Sequence, residues 1–101
     1  MSDSRFESLA DSLLSSLEEA LGEEADADLQ GSVLTVQSDG GTWVVNKHAP
    51  TRQIWLSSPR SGARHFAYDN ESGLWKDTRG GTDLLTLLGE ETGVSLAWKA
   101  P

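Results

Sequence analysis

Between Phe6 and Leu21 the apolar residues recur every three or four positions, at Phe6, Leu9, Ala10, Leu13, Leu17, Ala20 and Leu21. Counted at about 100° per residue they fall within roughly 60° of one line, while Glu7, Asp11 and Glu18 gather on the opposite side. The pattern predicts an amphipathic helix that stops near Gly22. Ser4 and Glu7 have the spacing of a capping box, in which each side chain satisfies a free backbone donor, so the helix is expected to begin there. Past an acidic connection, GEEADAD at 22–28, the period changes. Short β-rich runs follow: VLTVQ at 33–37, TWVVN at 42–46, QIWLSS at 53–58, RHFAYD at 64–69 and GLWKD at 73–77. Asp39, Gly40 and Gly41 separate the first two and suit a tight hairpin with positive φ angles. Alternation puts Ile54 and Leu56 on one face of their strand and Trp55 on the other.

Near the end, Thr82 and Asp83 can cap a second helix that carries Leu84, Leu85, Leu87 and Leu88 and stops near Gly93. Gly89 inside it weakens the pattern, and VSLAW at 94–98 reads as a short last strand or an extended segment beside the helices. Helix, five or six strands and helix make an α+β fold, a two-layer α/β sandwich. Both helices are expected on one face of a single antiparallel sheet, with the other face open and residues 1–101 in one domain.

Composition narrows the chemistry. A chain of 101 residues with 37% hydrophobic content and four Trp can build one core. No run approaches the roughly 18 apolar residues of a membrane span. The acidic N-terminus lacks the pattern of a signal or transit peptide, so the expected location is cytoplasmic. With no Cys, a disulfide framework, a thiolate metal site and a Cys nucleophile are excluded, and a metal would have to use oxygen or imidazole. The net charge of -8 repels phosphate and anionic lipid, which argues against nucleic acid and membrane partners. The charge is also uneven: residues 1–46 hold ten acids and one base, residues 47–101 six acids and seven bases.

Three features could carry function. The first is the acidic set Glu7, Asp11, Glu18, Glu19, Glu23, Glu24, Asp26 and Asp28. Such a run is commonly a solvated face, yet like charges at helical spacing repel by a few tenths of a kcal/mol per pair, roughly, and a cation would relieve them. Hard cations, including ferrous, ferric, manganese, calcium and magnesium ions, prefer carboxylate oxygen. The second is Trp55, which reads either as half-buried core or, beside Asn46 and Gln53 on an open face, as an anchor for a protein partner. The third is the basic set Arg52, Arg60, Arg64 and His65. No nucleophile elbow, phosphate loop, EF-hand loop or paired zinc histidines occur, so an ordinary hydrolase or transferase has little support.

The string NKHAPTRQIWLSSPRSGARHFAYD, followed by GLWKD and TDLLTLLGEE, resembles the frataxin family, and the likeness runs through essentially the whole chain. Chain start and length are similar to the bacterial, CyaY-type members, which lack the extension of mitochondrial ones. The resemblance implies an iron-binding protein that regulates iron–sulfur cluster assembly by docking on the cysteine desulfurase and the cluster scaffold, as iron donor or iron sensor. It also implies an acidic ridge as the iron surface, matched by Glu18, Glu19, Glu23, Glu24, Asp26 and Asp28, with Asp3, Glu7 and Asp11 secondary. Partner contacts would fall at Asn46, Gln53 and Trp55, and at His65, which takes the position of an interface Arg in mitochondrial members, with Arg64 next to it. Iron, Fe2+ or Fe3+, would be held weakly on surface carboxylates, on a monomer able to form iron-dependent oligomers. The resemblance also brings a ferroxidase activity, which would need the ridge acids; no conventional catalytic motif is present. Two departures stand out: the connection after the first helix is shorter and less acidic, with Gly22 where an acid is expected, and His65 stands in place of the interface Arg. The alternative from another class is an acidic protein-interaction module without physiological iron binding.

Overall fold

The computed structural model describes residues 1–101. Helix α1 spans Asp3–Gly22, and six strands follow: β1 Asp26–Gln30, β2 Val33–Ser38, β3 Gly41–His48, β4 Gln53–Ser58, β5 Gly62–Asp69 and β6 Leu74–Asp77. A 3-10 turn at Ala49–Thr51 joins β3 to β4, and helix α2 spans Leu84–Thr92. The strands form one antiparallel sheet in sequence order, a meander in which each strand lies beside its predecessor.

Alternation along the strands sorts the sheet into two faces. Leu34, Val36, Trp43, Val45, Ile54, Leu56, Phe66 and Trp75 point to one side and are buried there. Against them α1 lays Phe6, Leu9, Ala10, Leu13, Leu14, Leu17 and Leu21, and α2 adds Leu84 and Leu88. Burying each large side chain contributes about 1.5–3 kcal/mol before conformational entropy is charged against it. The opposite face carries no helix. The two-layer α+β sandwich expected from the sequence is therefore the observed fold.

Three local details differ from the pattern reading, and the tail takes the second of the two courses the sequence allowed, an extended segment beside a helix. Helix α1 starts one half-turn earlier, because the Ser2 Oγ accepts from the Arg5 N–H at 3.2 Å and serves as N-cap in place of Ser4. The acidic connection contains a strand, β1, whose Ala27 and Leu29 pack inward while Asp26 and Asp28 stay exposed. In the β2–β3 hairpin only Gly41 has positive φ, at 129°, and a Cβ there would meet Pro59 carbons at 2.8 Å. The tail after Gly93 forms no strand; Val94 is buried, and Trp98 donates from its Nε1 to the Ser12 Oγ at 3.1 Å, fastening the segment along α1.

Helix α2 is held by charge as well as by leucine. Asp83 caps it, accepting from the Thr86 N–H at 3.2 Å, and Gly93 at φ 76° ends it. Gly89 gives the returning tail room: a Cβ at this position would lie 3.1 Å from the Val94 carbonyl oxygen. Glu91 reaches back to the sheet, where its Oε1 accepts from the Trp43 indole at 2.9 Å and the Ser58 hydroxyl at 2.6 Å. Burial alone would push the Glu91 carboxyl up, but the hydrogen bonds from Ser58 and Trp43 outweigh it and hold the group below the ordinary carboxylate range.

Candidate functional site

The nine acids named from the sequence fall into three environments. Asp3, Glu7 and Asp11, on the first half of α1, are matched by bases. Lys47, whose side chain leaves β3 toward α1, bridges the carboxylates of Glu7 and Asp11, the latter at 2.8 Å. The two hydrogen bonds, Asp11 first and then Glu7, raise the Lys47 ammonium above its ordinary value. Arg52, in the left-handed conformation at φ 53°, closes the 3-10 turn and binds Asp3 at 2.8 Å through its Nε.

Glu18 and Asp28 have local partners. Glu18 Oε2 accepts from the Leu29 N–H of β1 at 3.0 Å, which satisfies a donor on the edge of the sheet. Asp28 takes a hydrogen bond from the Gln30 amide at 2.8 Å. Glu19, Glu23, Glu24 and Asp26 form the third group: all are exposed, and none has a basic partner. Glu23, Glu24 and Asp26 line a concavity of about 470 Å³ that Asp39, from the β2–β3 turn, completes on the far side. Asp39 lies more than ten residues from the others, and only the β1–β2 pairing, with Asp26 opposite Gln37, brings it there.

The donor set decides what this end could hold. It offers only exposed carboxylate oxygen, which suits a hard cation and leaves most of the coordination shell to water. No three His, Asp or Glu side chains converge as a preassembled metal centre. The helix also ends here with no basic residue in its last turn, so Glu18, Glu19 and the acids that follow stand at the negative end of the α1 dipole.

The second region is the open face of the sheet. Register places Asn46 opposite Trp55, His48 opposite Gln53, and Trp55 opposite His65. Trp55 is half-buried, but by imidazole and not by core. The His48 ring stacks on one face of the indole at 3.5 Å between centroids, and the His65 ring on the other at 4.3 Å, each within 10° of parallel. Gln53 Oε1 accepts from the Trp55 Nε1 at 2.9 Å and fixes the ring in its plane. The Thr51 hydroxyl lies 2.8 Å from the His48 Nδ1 and donates to Gln53 Oε1 at 3.2 Å, which extends the brace to the preceding turn. Asn46, Gln53, Trp55 and His65 thus share one face. Arg64 does not: alternation turns it to the other side of β5, where its Nη1 meets Asp77 Oδ2 at 3.2 Å. His48 escaped the sequence reading, although its offset of two from Asn46 on the same strand put it on that face.

Comparison with known proteins fits these features. The family model for the frataxin-like domain matches residues 1–97. The chain is 41% identical over 91 residues to mitochondrial frataxin of Dictyostelium discoideum, covering 88% of this chain and 47% of that protein, so it spans about half that relative's length. It is 38% identical over 95 residues to the iron–sulfur cluster assembly protein CyaY of Paraburkholderia phymatum, covering 89% of this chain and 87% of that one. Among solved structures, frataxin from Psychromonas ingrahamii, of the CyaY protein family, superposes with a TM-score of 0.78 at 32% identity, covering 95% of this chain and 96% of that one. Trimeric frataxin of the yeast Saccharomyces cerevisiae, in a ferrous complex, gives 0.70 at 40% identity over 88% of this chain and 82% of that one. No helix is long and apolar enough to cross a membrane. With a family model matched over nearly its whole length, an agreeing fold and relatives of both bacterial and mitochondrial origin, the chain belongs to the frataxin family.

Proposed function

We propose that this protein binds iron at the end of the molecule formed by the last turns of α1, the loop after it and β1, and that it regulates iron–sulfur cluster assembly by docking on a cysteine desulfurase and its scaffold. The observation that carries the reading is the sorting of the acids. The molecule pairs Asp3, Glu7 and Asp11 with Lys47 and Arg52, and leaves Glu19, Glu23, Glu24 and Asp26 with no base. Carboxylates at a helix C-terminus cost about 0.3–1 kcal/mol each through the dipole, and mutual repulsion adds to this. A bound cation, or a basic protein surface, offsets both costs.

The name of the bacterial relative and the ferrous complex of the yeast protein support the choice of iron and of the assembly pathway. Binding through exposed oxygens is weak and salt-sensitive, because charges on the surface are screened over about 8 Å at physiological ionic strength. Docking would use the Trp55 face, where a braced aromatic among Asn46, Gln53 and His65 has the chemistry of an interface anchor. Lack of any preassembled group of three ligands favours a second reading, an acidic docking module in which iron plays no physiological part.

Binding of the desulfurase–scaffold complex separates the parts. Trp55→Ala should keep the fold and weaken the complex about tenfold or more, the loss of an interface anchor. A triple Glu19→Gln, Glu23→Gln, Glu24→Gln variant should lose iron-dependent regulation of desulfurase turnover. Regulation that persists in the triple variant with iron and vanishes in Trp55→Ala would establish the docking module and remove iron from the function.

A further inference from the structure

Strand β6 is shorter than the strand it pairs with, and this leaves a gap in the sheet. It covers only Phe66–Asp69 of β5; Gly62–His65 pair with β4 on their inner edge and with no strand on the outer one. The outer edge of β6 itself is partly shielded by a bridge between Lys76 and Asp83. At the gap the last hydrogen bond is from the Thr78 N–H to the His65 carbonyl, at 2.9 Å. Antiparallel strands alternate the direction of their backbone groups, so the next outward-facing pair beyond His65 is the N–H and C=O of Ala63, an exposed residue.

A cleft of about 410 Å³ opens there, lined by Ser61, Ala63, Arg64, His65, Asp77 and Arg79 among others. Its charge is opposite to that of the molecule. The one acid, Asp77, is already used: Oδ2 meets Arg64 and Oδ1 accepts from the Arg79 N–H at 2.8 Å. The Arg79 guanidinium has no ion-pair partner, and Arg64 commits one of its five N–H donors to Asp77. His65 walls the cleft while stacked on Trp55.

We propose that this cleft binds an acidic peptide in extended form, which adds one or two residues to the free edge of β5 at Ala63 and seats a carboxylate between Arg64 and Arg79. Two independent needs meet in that occupant. The edge supplies a backbone donor and acceptor spaced for the ladder of an added strand, and the guanidinium forks match carboxylate oxygens in pairs. The site lies apart from the free carboxylates of α1 and β1, and its failure would leave the iron reading untouched.

The test is a titration of 15N-labelled protein, followed by amide shifts, with an acetylated and amidated Glu-Val-Glu-Val-Glu peptide and with its Gln counterpart. The Glu peptide should move the amides of Ala63, His65 and Thr78. The Gln peptide should bind about tenfold more weakly, as should the Glu peptide to Arg79→Gln, the size of one charge-assisted hydrogen bond. Ala63→Pro removes the outward N–H and should abolish the shifts at His65 and Thr78. Should that variant fail to fold, Arg79→Gln, an exposed position without an ion pair, decides alone. Equal binding of both peptides, or no shift at Ala63, overturns the proposal. So does inorganic phosphate that reproduces the arginine shifts and displaces the peptide completely while the Ala63 amide stays still, since that describes a simple anion site.

Discussion

Lys47→Gln tests the sorting of charge from the side that is already neutralised. The ammonium is mostly shielded, with 15% of its side chain exposed, but its partners are open, Glu7 at 43% and Asp11 at 60%. Solvent screening therefore limits each pair to about 0.2–1 kcal/mol, and the two together to roughly 1 kcal/mol. For a domain of this size that corresponds to a fall in Tm of about 4–8 °C. The pH dependence has a fixed sign. Because the folded Lys47 titrates above its ordinary 10.5, its contribution is complete below that value and is lost as pH rises through the folded pKa. Wild type and variant should differ in thermal melts at pH 7, and the difference should shrink only as pH rises beyond 10.5 and through the raised folded pKa. The same substitution frees two carboxylates, so ferrous or manganous ions should now perturb the amides around Glu7 and Asp11, which stay quiet in wild type. Equal melting temperatures at pH 7 together with no new metal-dependent shifts on the first half of α1 would refute the reasoning.

Three further outcomes follow from the same contacts. Glu91→Gln keeps the shape but removes the charge that Trp43 and Ser58 hydrogen-bond, and should cost about 1 kcal/mol at pH 7 in urea unfolding. Since the folded Glu91 titrates below its ordinary 4.5, that difference is complete above this value and should shrink as pH falls below it. Gly41→Ala sets a Cβ 2.8 Å from Pro59 at a φ of 129°, and should destabilise by about 1–3 kcal/mol in the same assay. Trp98→Phe removes the indole donor to Ser12 and should loosen the tail, seen as faster amide exchange at residues 94–98, with a global cost of about 1 kcal/mol.

Much of the fold was legible because burial follows period. The stripe from Phe6 to Leu21 gave α1, alternation about Ile54, Trp55 and Leu56 gave the two faces of the sheet, and Asp83 with Gly93 bounded α2. Strand β1 was hidden because acids alternate with only two apolar residues in DADLQ. It exists because β2 offers a ladder and Glu18 takes the outward Leu29 N–H, neither of which is a local signal. The cap was misplaced by two residues because Ser2 and Ser4 offer the same hydroxyl at nearly the same place in the chain, and it is Ser2 that takes the Arg5 N–H.

The candidate sites were legible as inventories and not as geometry. Nothing local couples Lys47 to Glu7 and Asp11, which are 40 and 36 residues away. That link divides the acidic set into paired and free members. Likewise the basic set dissolves once folded: Arg52 serves Asp3, Arg64 serves Asp77, and Arg60 donates to the Glu91 backbone carbonyl at 3.2 Å. Asp39 and His48 joined their sites through strand register, which the sequence specifies only after the hairpins are known.

The most direct measurement is an anaerobic ferrous titration of 15N-labelled protein at two salt concentrations, read residue by residue. Broadening should begin at Glu19, Glu23, Glu24, Asp26 and Asp39, spare Asp3, Glu7 and Asp11, and weaken with added salt. Broadening spread evenly over all the acids, or none at millimolar iron, would contradict the claim that internal pairing selects where a cation binds.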